Sequence, residues 1–422
     1  MRISLLLAGF ILIYLFSYSQ NLQGNWKGTI EFNGQSIPIV FHFYKDSSGN
    51  TNGKWDSPKQ NVIGLPFSEI NADKDSVHLG IKMINGFYNG KFIGSDSMQG
   101  IWQQGPAQLP LNFSRSAENF TEETKAKLLP NEKEIAVTIP DGSKLYGTLL
   151  SKNNNQKLVI IIAGSGPTDR EGNNILGVES NSYQLLAQAL DSENIASFRY
   201  DKRGIGKSIP SNVNEENLVF EDYINDAEKI FQYLQDSLGF KDIYILGHSE
   251  GSLIGIAAAE KVKAKGLVSI AGAGRPIDEI IEEQISNQSL PDSLKKKTAE
   301  IFATLKDGRN VNDVPDVLNS IFRKSVQPYM ISWLKYDPAK EIKKLKCPVL
   351  ILQGSCDMQT KTTDAENLHH SNAKSKIDII PLMTHTLKNA GEGCKDDNRK
   401  TYTDPSLPLN KQLVNDIVKF IK

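Results

Sequence analysis

The pattern of apolar and polar residues changes character near residue 130. Before that point, short segments such as TIEF, SIPIVFHFY and SVHLGIKM alternate apolar with polar positions and are separated by Gly, Asn, Asp and Ser. Alternation with a period of two, interrupted by turn residues, is typical of an antiparallel meander. We therefore predict a small antiparallel β domain, barrel-like or a curved sheet, over residues 20–125. We expect Trp26, Trp55 and Trp102 to pack in its core, with carbohydrate stacking as the alternative.

Beyond residue 130 the apolar residues form continuous runs, such as KLVIIIAG, IYILG and CPVLILQG, with helix-like segments between them. Continuous apolar strands are buried on both faces, and strands that alternate with amphipathic helices form mostly parallel sheets covered by helices. The predicted fold class is therefore α/β over residues 131–422. Residues about 275–342 have a mainly helical pattern, and we interpret them as a helical lid that precedes the strand CPVLILQG.

The first twenty residues, MRISLLLAGFILIYLFSYSQ, combine an early Arg2 with an apolar run that closes on small residues. This pattern predicts a signal peptide over residues 1–19, cut after Ser19, and hence a secreted or periplasmic protein. An uncleaved anchor helix is the alternative, although the run is short for a membrane span. We find no later stretch of sequence that could cross a membrane.

The amino-acid composition excludes some classes of binding partner. Lys and Arg number 48 against 49 Asp and Glu, so there is no basic excess for nucleic acid, and we expect a small-molecule substrate. No histidine–carboxylate cluster has metal-ligand spacing, and we expect neither a metal nor a cofactor.

Cys347 and Cys356 bracket one predicted strand and lie too far apart to pair. Cys356 with Cys394 is the one pairing that we consider, with free thiols as the alternative.

The sequence Gly247-His248-Ser249-Glu250-Gly251 joins a buried apolar strand to a helix rich in small residues. A G-x-S-x-G turn of this kind strains the serine backbone and lifts its hydroxyl above the sheet. Glycines flank the serine because a side chain there would collide with the strand or the helix. Ser249 is thus the predicted nucleophile, and a tight turn with a capping serine is the alternative.

The order of elements resembles the α/β-hydrolase family over about 290 residues. Four stretches carry the resemblance: the GHSEG turn, AGSGPTDREG, LQGSCDMQ and PLMTHTLK. Within the family, AGSGPTDREG and YDKRGIGKS look most like secreted bacterial esterases and serine-aminopeptidase-like members. The resemblance implies an open, mostly parallel sheet and a serine, acid and histidine that follow one another in that order.

The acid and the base are predicted from this order. His385 follows the last predicted strand in a loop, whereas the pair His369–His370 falls in a predicted helix. Loops at the carboxyl ends of the strands gather at one edge of the sheet, so His385 is the predicted base. Asp357 follows the preceding strand and is the predicted acid; Asp364 is better interpreted as a helix cap. The acid would hold the imidazole and stabilise the imidazolium.

The oxyanion of an acyl-transfer intermediate needs two backbone N–H donors. One is predicted at Glu250, directly after the serine, and similarity to the family assigns the other to Ser165. Arg170 is predicted to bind a substrate carboxylate, or to orient its loop by an ion pair with Asp169. The Glu250 side chain could bind a cationic group such as a peptide N-terminus, although exposure is the simpler interpretation.

Three functions are consistent with these residues. The first is hydrolysis of carboxylic esters through an acyl-enzyme, without a cofactor. The second is a serine peptidase, of aminopeptidase or dipeptidyl-peptidase type, with the same triad. The third is a binding protein that kept the fold, and the presence of Ser249, Asp357 and His385 argues against it.

Overall fold

The computed structural model describes residues 22–32, 35–46, 49–57, 62–81, 86–105, 107–116, 128–152, 156–174, 177–209, 215–288, 290–394 and 398–422. The predicted signal peptide, residues 1–19, lies outside the described residues. The chain divides into two compact units: Met1–Lys54 with Phe67–Asn119, and Trp55–Pro66 with Phe120–Lys422.

The first sheet has nine strands among the described residues, in the order β4-β3-β2-β1-β9-β8-β7-β6-β5. Neighbouring strands pair antiparallel from β2 through β1 and β9 to β5, as the alternating pattern predicts. The strands are β1 (Gly24–Phe32), β2 (Gln35–Lys45), β3 (Thr51–Ser57), β4 (Val62–Pro66), β5 (Glu69–Ala72), β6 (Ser76–Ile81), β7 (Gly86–Phe92), β8 (Ser97–Gln104) and β9 (Ala107–Ser116).

Aromatic side chains fill the core of this sheet. Trp26 is completely buried opposite Phe41, whose ring centroid lies 4.1 Å from that of Phe113. Trp55 and Trp102 are buried as well. Burial of large apolar rings is a major source of stability. The expectation that the three tryptophans pack in a core is therefore confirmed.

The second sheet contains eight strands in the described part of the chain, in the order β10-β11-β15-β12-β16-β17-β18-β19. At one edge of the sheet, β10 pairs antiparallel with β11, and β11 pairs antiparallel with β15. From β15 along this order to β19, neighbouring strands are parallel. This confirms the mostly parallel sheet. Its strands are β10 (Glu132–Thr138), β11 (Lys144–Leu150), β12 (Lys157–Ile162), β15 (Ala196–Tyr200), β16 (Asp242–His248), β17 (Gly266–Ile270), β18 (Val349–Gly354) and β19 (Lys376–Ile380); β13 (Asn173–Asn174) and β14 (Val178–Glu179) form a separate short hairpin.

Helices cover both faces of the second sheet. Along β12, Leu158, Ile160 and Ile162 belong to one apolar core, while Val159 and Ile161 belong to another on the opposite face. This alternation follows from the period of two in a strand. The helices are α1 (Ser182–Ser192), α2 (Phe220–Asp236), α3 (Glu250–Lys261), α4 (Ile277–Ser286), α5 (Asp292–Lys306), α6 (Asn319–Phe322), α7 (Gln327–Trp333), α8 (Pro338–Lys343), α9 (Thr362–Ser371), α10 (Arg399–Thr403) and α11 (Lys411–Ile421).

The carboxyl ends of the parallel strands share one edge. The strand ends are in register with their neighbours: Ile162 opposite Gly247, His248 opposite Ile270, and Gly354 opposite Ile380. The loops that follow β12, β16, β18 and β19 therefore begin side by side. In open α/β sheets this edge is where ligands bind.

Helices α4 to α8 occupy the interval between β17 and β18, which confirms the predicted helical insertion. Its helix α7 packs on α2: the ring of Trp333 stacks on Phe220 at 5.5 Å, and Tyr329 meets Tyr223 at 5.7 Å. Both Met330 and Trp333 are buried. The side chains of Trp333 and Met330 thus serve core packing.

Cys356 and Cys394 form a disulfide, with their Cα atoms 5.3 Å apart, and Cys347 is a free thiol. Of the two alternatives left by the sequence, pairing is therefore the one observed. The bridge attaches the loop after β18 to the loop before α10. Among the helices that the structure describes, none has the length and apolar character of a membrane span.

Candidate active site

Ser249 stands between the end of β16 and the start of α3 with φ 56° and ψ −122°. Positive φ is uncommon for a residue with a side chain and marks a strained turn. A Cβ added to Gly247 would lie 2.0 Å from the Gly251 carbonyl oxygen, and one added to Gly251 would lie 2.3 Å from the Ile162 carbonyl oxygen. The predicted reason for the flanking glycines is thus confirmed.

Asp357 and His385 meet in the loops after β18 and β19. The His385 Nδ1 lies 2.8 Å from the Asp357 Oδ2, and both side chains are buried. Burial alone would raise the pKa of Asp357, but the His385 imidazole and the backbone N–H groups of Gln359 and Thr360 outweigh it and hold the pKa at about 2. Because an ionised carboxylate only accepts hydrogen bonds, Nδ1 carries the hydrogen and Nε2 is left to accept a proton.

The alternatives to this pair have other partners. Asp364 is completely buried at the start of α9, where it accepts the Arg275 Nε at 2.9 Å and the Lys361 backbone N–H at 3.2 Å. His369 lies on the same helix and contacts the Ser375 hydroxyl at 2.9 Å. The interpretation of Asp364 as a helix cap is therefore confirmed.

His248, the neighbour of Ser249 in the sequence, contacts His385. The rings of His248 and His385 lie 4.7 Å apart, and the His248 Nε2 donates to the His385 carbonyl oxygen at 2.8 Å. Among the described residues, the Ser249 hydroxyl and the His385 imidazole are not hydrogen-bonded to each other. Catalytic hydrogen bonds are often long in unliganded enzymes and tighten around the substrate.

The loop after β12 runs beside the serine. A Cβ built on Gly164 would lie 3.1 Å from the Ser249 Cβ, so only a glycine leaves the two backbones this close without a shift. Ser165, the next residue, is exposed. Glu250 is the first residue of α3, where backbone N–H groups have no acceptor within the helix and the helix dipole is positive. The two residues predicted to supply N–H donors thus come directly after Gly164 and directly after Ser249.

His248 and Tyr183 form a buried hydrogen-bonded link that the sequence analysis did not predict. Burial, reinforced by the nearby His385, lowers the pKa of His248 to about 3, so its ring is neutral. Its Nε2–H donates to the His385 carbonyl, and its Nδ1 therefore accepts from the Tyr183 hydroxyl at 2.7 Å. That hydroxyl accepts in turn the Gly164 N–H at 3.1 Å. The link joins the loop of His385 to the loop beside Ser249.

The Glu250 side chain is buried, against the expectation that it would be exposed. Its Oε1 lies 3.0 Å from the Nζ of Lys202, which also donates to the Gly164 carbonyl oxygen at 2.6 Å. Because Lys202 already neutralises this carboxylate, the alternative that Glu250 binds the cationic end of a peptide is not supported.

Arg170 has protein partners for its guanidinium, so the prediction that it binds a substrate carboxylate is not supported. Its guanidinium is buried and binds the Asp201 Oδ2 at 2.6 Å, with longer contacts to Glu134 at 3.4 Å and Thr148 at 3.3 Å. The proposed partner was also wrong, since Asp169 accepts two backbone N–H groups of its own loop. Arg170 orients the loop, as the alternative expected, but it does so through Asp201.

In the part of the chain that the structure describes, no group of three or more His, Cys, Asp or Glu residues is arranged to hold a metal ion. Near this edge of the sheet the structure places the Ser249 hydroxyl, the His385 imidazole and the Asp357 carboxylate.

A mostly parallel sheet with an elbow serine after a central strand places the chain among the α/β hydrolases. The family model described as serine aminopeptidase, S33, matches residues 176–390, which are 215 of the 422 residues. The chain belongs to this family of serine hydrolases. Both the predicted fold and the predicted superfamily are thereby confirmed.

Esterase EstD of Thermotoga maritima is 28% identical over 283 residues, a match covering 62% of this chain and 61% of EstD. The chain thus spans about three fifths of the length of that relative. Est1E from Butyrivibrio proteoclasticus, solved with ferulic acid bound, is 20% identical with a TM-score of 0.45, over 67% of this chain and 96% of Est1E. The α/β hydrolase GrgF from Penicillium sp. sh18 is 17% identical with a TM-score of 0.48, over 70% of this chain and 98% of GrgF.

Proposed function

We propose that the protein is a secreted serine hydrolase that cleaves carboxylic esters through an acyl-enzyme, with Ser249, His385 and Asp357 as its catalytic triad. The observation that carries the proposal is the 2.8 Å hydrogen bond between the His385 Nδ1 and the buried, ionised Asp357, at the same edge of the sheet as Ser249. The similarity to esterase EstD supports an ester as the substrate.

The reaction uses each group in turn. The Ser249 Oγ attacks the ester carbonyl carbon while the His385 Nε2 takes the hydroxyl proton, and Asp357 stabilises the imidazolium without taking that proton. The N–H groups of Ser165 and Glu250 bind the oxyanion of the tetrahedral intermediate. The intermediate expels the alcohol, which leaves with the proton held by His385. Water then attacks the acyl-enzyme by the same route and releases the acid.

A peptidase with the same triad is the second candidate, and the description of the matched family as a serine aminopeptidase favours it. An aminopeptidase needs an anionic group to bind the substrate's amino terminus, and Glu250 is already paired with Lys202. We therefore expect p-nitrophenyl esters to be cleaved faster than aminoacyl p-nitroanilides. A clear preference for the anilides would favour the peptidase.

The triad is tested by Ser249→Ala and His385→Ala, each compared with the wild type over p-nitrophenyl esters of increasing acyl length. We expect both variants to lose acyl transfer and to keep the fold, with labelling by a fluorophosphonate absent in Ser249→Ala. His370→Ala is the matched control, because His370 is exposed on α9 and should leave turnover unchanged. Wild-type turnover in Ser249→Ala or His385→Ala would contradict the assignments.

Secretion is supported by the residue pattern of the first 19 positions and by a disulfide, which persists mainly in oxidising compartments. Expression of the full chain in a bacterial host, followed by mass spectrometry of the extracellular or periplasmic fraction, tests it. We expect a mature protein that begins at Gln20. Retention of residues 1–19 in a membrane fraction would instead support the anchor helix.

A further inference from the structure

Lys202 carries a buried charge that the reaction does not use directly. It lies two residues beyond β15 and is only 1% exposed. Its Nζ donates to the Gly164 carbonyl oxygen at 2.6 Å and to the Glu250 Oε1 at 3.0 Å, and it lies 4.9 Å from the centre of the Tyr223 ring. A buried ammonium is costly unless it is paired and hydrogen-bonded, so this placement calls for an explanation.

Both partners of Lys202 belong to residues that frame the proposed oxyanion hole. The Gly164 carbonyl and the Ser165 N–H are part of one planar trans peptide, in which the C=O and the N–H point in opposite directions. A cation that holds the carbonyl therefore fixes the direction of the Ser165 N–H. The hydrogen bond also polarises the peptide, which makes that N–H a stronger donor.

The second contact acts on the other donor. Glu250 supplies its backbone N–H at the first position of α3, directly after Ser249, while its side chain bonds to Lys202. One ammonium thus holds the peptide of the first donor and the side chain of the second. Donors that are fixed before the reaction need no reorganisation when charge develops on the substrate oxygen.

We infer that Lys202 is the positioning residue of the oxyanion hole, acting through the Gly164 carbonyl and the Glu250 carboxylate. The inference rests on the proposed function, because it assumes that the N–H groups of Ser165 and Glu250 receive the oxyanion. Lys202 itself touches neither the substrate nor the reacting atoms in this role. Its loss should weaken binding of the transition state and leave binding of the substrate almost unchanged.

The test uses Lys202→Met and the double variant Lys202→Met/Glu250→Gln, which removes both charges and so leaves no unpaired carboxylate. With p-nitrophenyl acetate we expect kcat to fall about 10- to 100-fold in both, with KM changed less than about threefold. The affinity for phenylboronic acid, which forms a tetrahedral adduct on the serine, should fall by the same factor as kcat/KM. A purely structural ion pair would not produce this split.

Arg203→Met is the matched control. Arg203 is the next residue, and its guanidinium pairs with the buried Asp226 at 2.6 Å. We expect this variant to lose stability but to keep kcat within about twofold of the wild type. If Lys202→Met fails to fold, the double variant carries the test. If both fail, Lys202→Arg keeps the charge but cannot reproduce the compact contact with Gly164, and it should show the same loss of kcat.

The outcomes separate the inference from the proposed function. Folded Lys202 variants that keep wild-type kcat and wild-type affinity for phenylboronic acid would overturn the inference, and so would a loss confined to KM. Ser249→Ala, measured in parallel, tests the nucleophile alone. Turnover that persists in Ser249→Ala would overturn the proposed function, whereas an inactive Ser249→Ala beside unaffected Lys202 variants would overturn only the role of Lys202.

Discussion

The backbone of Ser249 occupies a conformation that a side chain resists, and this strain can be measured. A residue other than glycine costs about 1–3 kcal/mol when held in a sparsely populated region of this kind. The Ser249 φ of 56° and ψ of −122° lie in such a region. Glycine adopts the same angles without a Cβ penalty. Ser249→Gly and Ser249→Ala both remove the hydroxyl, but only the glycine variant removes the strain.

The expected difference follows from two opposing contributions. Glycine loses more conformational freedom on folding than alanine, which costs about 0.5–1 kcal/mol. Subtracting this cost from the relief of strain leaves Ser249→Gly more stable than Ser249→Ala by about 1 kcal/mol.

Differential scanning calorimetry of the two variants measures this difference in the unfolding transition of the compact unit that contains Ser249 (the catalytic unit). For a domain of this size, 1 kcal/mol corresponds to a shift of about 2 °C in Tm. Ser252, three residues further on in α3, provides the control. There Gly should be less stable than Ala by about 1 kcal/mol, because the position is helical. A Ser249→Ala variant as stable as Ser249→Gly, with the expected order at Ser252, would refute the strain.

Three further predictions concern stability. Gly251→Ala should destabilise the catalytic unit by about 3 kcal/mol or more, measured by urea unfolding, because the new Cβ would lie 2.3 Å from the Ile162 carbonyl oxygen; a wild-type midpoint would contradict this. Cys356→Ser/Cys394→Ser should cost about 4 kcal/mol for a separation of 38 residues, and a reductant should lower the Tm of the wild type but not of the variant. Burial and then the nearby Asp201 raise the pKa of Asp169 to about 7, so the wild type loses stability as the pH rises from 4 to 7. Asp169→Asn should remove this loss, so that its free energy of unfolding relative to that of the wild type rises by up to about 4 kcal/mol from pH 4 to pH 8. An equal pH dependence of Tm in the two proteins would contradict this prediction.

The contact between Asp357 and His385 could be predicted from the sequence because local pattern and chain order determine where the two residues lie. Asp357 comes three residues after the end of β18, and His385 comes five residues after the end of β19. Parallel strands bring the loops at their carboxyl ends to one edge, whatever lies between them in the chain. The 2.8 Å contact between the two side chains follows from this arrangement. The elbow at Ser249 is similarly local, since its strand, turn and helix are contiguous.

The partners of charged side chains near the site could not be predicted in this way. Arg170 follows Asp169 in the sequence, which suggested an ion pair, but its partner is Asp201, 31 residues further on. Whether Glu250 is exposed also depends on what packs above the elbow, and a charge in a sequence does not reveal that. Burial then makes the choice of partner decisive, because an unpaired buried charge is strongly destabilising.

Lys202 shows that the order of the strands in the sheet is the information that the sequence does not provide. It comes two residues after the buried run ASFRY, and this position just beyond a strand could have attracted attention. Its proximity to Gly164, however, follows from the order of the strands: β15 lies next to β12 in the sheet and runs parallel to it, so the residues beyond both strands leave the sheet side by side. Chain order does not give strand order, because β15 follows β12 in the chain but lies between β11 and β12 in the sheet. The contacts of Lys202 therefore require the strand order for their prediction, whereas the placement of Asp357 and His385 at one edge of the sheet does not.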